Sequence, residues 1–157
     1  MKLLERFRRS DSGQAIVEVA VVTPFLFILL VSVIDIGRVY HYREIVGNSA
    51  RAAVQYGAQG LTFAVDDPGM STAGQNDGED WLTGTPQAGL TVTGTEACYC
   101  SNGSLATCLP PSICPPNTHM LTYAVATSTY QFSTLFNYRI IPHTFPISRT
   151  EQLEVGQ

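Results

Sequence analysis

Positive charge is scarce in most of this 157-residue chain. Beyond residue 57 there are two cations, Arg139 and Arg149, against eight carboxylates, a net of −6 for that part. A segment so acidic gains little from a phosphate backbone, which argues against a nucleic-acid partner. Signatures of catalysis are also missing. There is no nucleophile elbow, no glycine-rich phosphate loop and no pair of histidines at helical metal-ligand spacing; the three histidines, His41, His119 and His143, are scattered. The expectation is a protein that is not an enzyme and carries no cofactor and no metal. Cysteine is absent until residue 98, and charge is absent from Val19 to Ile34.

That last absence organises the chain. Val19–Ile34 is sixteen residues long, short of the roughly 20 that a membrane span needs. Adding Ala15–Val17, Glu18, Asp35 and Ile36–Gly37 brings it to 23 residues, ~35 Å of helix against a hydrocarbon core ~30 Å thick. The span works if Glu18 and Asp35 lie near its edges or find partners, because a carboxylate in lipid costs ~2.5–3.5 kcal/mol at mid-span. Ahead of it sits a basic leader, Lys2, Arg6, Arg8 and Arg9. The positive-inside rule then keeps the N-terminus cytoplasmic and exports the C-terminus, although Arg38 and Arg43 flank the far side and weaken the bias. An ordinary secretory signal would need small residues after the apolar run. Asp35-Ile36-Gly37-Arg38 stands there instead. A cut after Gly13 fits better. It would free an ammonium at Gln14, four residues from Glu18 and on the same helix face, where the carboxylate would pair with its own or a neighbour's N-terminus.

The series Ser12-Gly-Gln-Ala-Ile-Val-Glu-Val-Ala-Val-Val-Thr-Pro-Phe-Leu-Phe-Ile-Leu-Leu, then Ile34-Asp-Ile-Gly-Arg and Asn48-Ser-Ala-Arg-Ala-Ala, resembles the TadE-like family over about residues 12–54. These are pilin-like membrane proteins of the bacterial tight-adherence (Flp, type IVc) pilus and secretion machinery. Val19 replaces the family's usual phenylalanine, and Thr23 its usual leucine before the proline. Gly13-Gln14…Glu18 also resembles the type IV prepilin processing site. The resemblance implies a prepilin peptidase acting between Gly13 and Gln14, assembly through Glu18 and Pro24, and other pilin-like subunits, the pilus machinery and the lipid bilayer as partners. Pro24 reads from physics alone as a helix kink.

Residues 38–60 change to helical period. Val39, Tyr42, Val46, Ala50, Ala53, Tyr56 and Gly57 fall on one face, and His41, Glu44, Asn48, Arg51 and Gln55 on the other. Small residues at 50, 53 and 57 permit close approach of a helix or of the head. The helix is expected to end near Gly57–Gly60.

The head, residues 61–157, reads as a small antiparallel sheet. Turn formers over 66–89 predict a long surface loop with one helical turn near Trp81. Its acidic cluster, Asp77-Gly-Glu-Asp80, does not fit an EF-hand, since position 1 would fall on Ala73. Leu90–Cys100, Met120–Phe132 and Phe145–Val155 read as strands, with Pro142 and Pro146 marking an edge or bulge at the third. Cys98 and Cys100 share a strand face. With Cys108 and Cys114 they suit an oxidising compartment. Bridging Cys98 to Cys100 would close a tiny ring; one crossed and one nested pairing remain. A zinc site of four thiolates is a rival, but C-x-C-x7-C-x5-C lacks the usual C-x2-C pair. Asn102-Gly103-Ser104 is formally a glycosylation acceptor and reads better as a turn.

The expectation is an α+β protein: a long N-terminal helix, membrane-spanning and then amphipathic, followed by a disulfide-bridged β head. It would be a minor pilin or pseudopilin in the bacterial inner membrane. The alternative is a single-span anchored binding protein that is neither processed nor assembled.

Overall fold

The computed structural model describes residues 11–81, 89–108, 114–136 and 142–156. The basic leader up to residue 10, and with it the cytoplasmic tail expected there, lies outside them. The chain divides into two units, Met1–Arg38 and Val39–Gln157.

Helix α1 is continuous from Asp11 to Gly57, as the apolar run and the period-3.6 stalk predict, and Pro24 lies inside it. Within the first unit its large apolar side chains stay exposed: Phe25 is 67% and Phe27 62% accessible. No described side chain from residue 13 to 30 is buried.

In the second unit the stalk face behaves as its pattern predicts. Val46, Ala50, Ala53 and Gly57 are buried, and His41, Glu44, Asn48, Arg51 and Gln55 are exposed. The buried arc is wider than that stripe, since Ile45, Ser49 and Val54 are also covered. The reason is that two elements pack on it, a sheet and a second helix.

That second helix is a departure from expectation. After the short α2 (Leu61–Ala64), α3 runs from Asp67 to Trp81, where the turn-rich composition predicts a surface loop. Asp66 starts it: its carboxylate accepts from the Gly69 amide at 3.1 Å and its carbonyl accepts from the Met70 amide. This is N-cap chemistry. Glycines that weaken α3 as an isolated helix let it lie against α1. A Cβ added at Gly74 would sit 2.7 Å from the Ser49 carbonyl oxygen and 2.8 Å from Val92 Cγ1. The Ser49 hydroxyl donates to the Gly74 carbonyl at 2.6 Å. Packing overrides propensity here.

Four strands form one antiparallel sheet in the order β2-β1-β3-β4: β1 Leu90–Cys100, β2 Leu105–Ala106, β3 Met120–Ser133 and β4 Thr144–Glu154. The register pairs Gly94 with Ala126, and Ala126 with Glu151. The three long strands match the expected ones to within a residue at each end. Pro146 falls on β4, an edge strand, as its missing N–H requires.

The alternation of β3 is resolved in favour of its smaller side. Thr122, Ala124, Ala126 and Ser128 face inward, while Leu121, Tyr123 and Val125 are only half-buried. Small side chains let α1 and α3 approach: Met70 fills the space above Gly57 and Gly94, and Gly57 abuts Ala124. The core has two parts, one around Ala53, Val54, Met70 and Val92, the other joining Val46, Phe132 and Ile147. On the opposite face hydroxyls pair across strands, Thr127 with Thr150 and Thr129 with Ser148.

Candidate functional site: the N-terminal helix

Gly13 and Gln14 lie near the start of the described part of α1. Both are exposed, and a Cβ at Gly13 would meet nothing within 4 Å. Glycine in an exposed helix costs ~1 kcal/mol relative to alanine. Among the described residues, packing gives no reason for that cost.

Glu18 is exposed on the apolar rod, one turn (~6 Å of rise) beyond Gln14, and no hydrogen bond or ion pair to a described residue reaches it. Pro24 is exposed as well. Beside it the Thr23 hydroxyl donates to the Val19 carbonyl at 2.7 Å, and the Ser32 hydroxyl does the same to Ile28 at 2.8 Å. These bonds internalise the two hydroxyls of the apolar stretch, as a lipid environment demands.

At the far end of the stretch the second carboxylate is handled differently. Asp35 is 5% exposed and pairs with Arg38 one turn on, at 3.0 Å. Among the described residues the two embedded acids are thus unequal: Asp35 pairs with Arg38, and Glu18 has no ion pair. That inequality was not legible beforehand, although the i, i+3 spacing of Asp35 and Arg38 was its signal.

The other candidates sort as follows. All four cysteines are bridged, Cys98 to Cys108 and Cys100 to Cys114, with Cα separations of 5.2 and 5.6 Å. This is the crossed pattern. It removes the four-thiolate zinc rival, because sulfurs bonded to each other are not thiolates. Glu96, Cys98 and Cys108 do come together, but two of the three are consumed by the bridge. Asn102 accepts from the Ser104 amide and hydroxyl, and Gly103 has φ +83°, so the formal acceptor sequence is a tight turn. Asp77 lies in α3 rather than in a loop. His41 lies edge-on to Tyr42, and His143 Nδ1 meets the Thr134 hydroxyl at 3.0 Å.

Among titrating groups, Tyr56 donates to the Asp66 carboxylate at 2.8 Å. That hydrogen bond, then burial and the adjacent negative charge, hold the phenol above its ordinary value of 10.0.

Residues 13–55 match the family model described as TadE-like protein, the region where the sequence resemblance lies. The match ends within α1, leaving the head outside it. No curated protein and no solved structure matches the chain.

Proposed function

We propose that this chain is a structural subunit, a minor pilin or pseudopilin of a bacterial tight-adherence pilus, and not a catalyst. Residues 14–37 hold it in the inner membrane, with the N-terminus cytoplasmic and the head on the exported side. A prepilin peptidase cuts after Gly13. The rod then packs among those of other pilin-like subunits, and Glu18 meets the new ammonium of Gln14 or of a neighbour.

One observation carries the reading: the TadE-like segment is a continuous helix with an exposed apolar surface in which, among the described residues, Glu18 alone of the two embedded acids has no partner. An uncompensated carboxylate in lipid is costly and marks a place where a partner arrives. The unforced glycine at position 13 adds to this, because a peptidase that requires a residue without a side chain before the cut gives it a purpose.

Intact mass spectrometry of the chain extracted from membranes, with and without the peptidase, tests processing. The expected product begins at Gln14, and Gly13→Ala stays uncut. A chain that keeps Met1 in the presence of the peptidase supports instead the unprocessed single-span binding protein. Glu18→Ala is expected to abolish co-purification with other subunits while leaving membrane insertion intact.

A further inference from the structure

We propose that the outer face of the head's sheet carries a site for an organic cation, a quaternary ammonium group held against Tyr99 and Tyr123 by the carboxylate of Glu154. Every residue of the site belongs to the second unit, and the inference stands apart from the assembly role.

The strand register builds the site. Tyr123 of β3 lies opposite Glu154 of β4, and Leu121 of β3 opposite Tyr99 of β1. Partners across strands share a face, as do alternate residues along one strand. The intervening Ala124 is buried against Gly57 of α1, so Tyr99, Leu121, Tyr123 and Glu154 lie on the side away from the helices. One step beyond, the Val155 amide donates to the Thr122 carbonyl at 2.9 Å. Hydrogen-bonded and non-hydrogen-bonded positions alternate along an antiparallel pair. Tyr123 and Glu154 therefore occupy a non-hydrogen-bonded position, where Cα atoms are ~4.5 Å apart and side chains come closest. A carboxylate is thus set beside a tyrosine ring.

Two shallow recesses open there. One, of about 480 Å³, is lined by Tyr99, Leu121, Tyr123 and Gln152 together with the turn that follows β1. The other, of about 350 Å³, is lined by His119, Leu121 and Glu154 with the end of β4. Leu121 borders both. Each volume falls in the ~300–1,000 Å³ range of small-ligand pockets. The Tyr99 and Tyr123 rings meet edge-on with centroids 5.7 Å apart, which fixes their orientation, and both stay half-exposed.

Charge selects the occupant. Elsewhere on this face hydroxyls satisfy one another, Thr127 with Thr150 and Thr129 with Ser148. Glu154, among the described residues, has no ion pair and no side-chain hydrogen bond. Arg149 is the one arginine or lysine described beyond residue 57, and its odd separation from Glu154 along β4 puts it on the opposite face. An unopposed carboxylate and the negative faces of two rings attract a cation together. The floor decides which cation. Leu121 and the rings offer few acceptors to replace the water around a primary ammonium, whose three N–H groups all need partners. A quaternary ammonium has no N–H and meets the same floor with methyl groups.

The test follows tyrosine-ring NMR resonances of the full chain in maltoside micelles during titration with choline and with dimethylbutanol, its uncharged carbon isostere. The expected result is a saturable shift of the Tyr99 and Tyr123 resonances at millimolar choline, weakened by added salt, with no shift from the alcohol. Glu154→Gln and Tyr123→Leu should each weaken choline binding roughly fivefold, whereas Tyr123→Phe keeps it, because the ring face and not the hydroxyl makes the contact. Tyr56 and Tyr130 resonances at their parent positions show that each variant is folded. An equal response to the alcohol would mean that the recess reads shape alone, and would overturn the inference. So would a choline response that survives both Glu154→Gln and Tyr123→Leu, tighter binding of lysine amide than of choline, or a folded parent chain that does not respond to choline.

Discussion

Two glycines of α-helical backbone show how differently one residue type can be used. At Gly74 a methyl group would collide with backbone, the Ser49 carbonyl 2.7 Å away, which cannot swing aside. At Gly13 it would meet open space. Alanine gains ~1 kcal/mol over glycine in either helix. Overpacking at Gly74 costs ~1–3 kcal/mol and more than cancels that gain. Gly74→Ala is therefore expected to lower the denaturant midpoint of the detergent-solubilised chain, whereas Gly13→Ala leaves it unchanged or raises it. Tyr56 makes a second residue-scale prediction. Its phenol is held above 10.0 in the folded chain by the bond to Asp66, so the unfolded chain loses the proton first as pH rises. The contribution is complete below pH 10 and declines as pH climbs through the folded value. Stability measured between pH 9 and 11 should fall more steeply in the parent protein than in Tyr56→Phe.

At the scale of elements, the helix that carries the family resemblance was legible and the helix beside it was not. α1 announces itself through an uncharged run and then an apolar stripe, both local patterns. α3 has neither. Gly69, Gly74 and Gly78, with Pro68 and a run of Ser, Thr, Asn and Asp, read as a loop because each is a poor helix former in isolation. The compensating terms are the Ser49–Gly74 bond and the fit of Met70 over Gly57 and Gly94, contacts between residues up to 25 apart in sequence. The Asp66 cap was the one local clue. Strand positions were readable from β-branched alternation, but the inward face of β3 was not, since the choice of alanines over tyrosine and valine depends on how closely two helices approach. The bridges act at this scale too. Each ties β1 to the following loop, across separations of 10 and 14 residues. Losing one should cost roughly 3 kcal/mol by loop-closure entropy. Paired Cys98→Ser and Cys108→Ser substitutions are expected to shift the thermal midpoint down with the sheet still formed, as followed by circular dichroism.

At the scale of the whole molecule, the division of labour in the sequence is repeated in the fold. Residues 11–38 bury almost nothing of their own, and residues 39–157 hold both core clusters and both bridges. The candidate processing and assembly residues were picked out because Gly13, Glu18 and Pro24 are exceptions by type in or beside an otherwise uniform apolar stretch. What sequence could not give was the distinction between the two acids, because neutralising Asp35 depends on where the Arg38 guanidinium points.

The interlaced sulfur linkages have a consequence for biogenesis. As the chain is made from its N-terminus, Cys98 and Cys100 are the first two thiols to appear and lie close together, yet neither is the other's mate. An oxidant that joined thiols in order of appearance would lock in the wrong ring. The native set must wait until the strands have aligned the sulfurs, or an early mistaken link must be shuffled by thiol exchange, so maturation of this head depends on timing as much as on affinity.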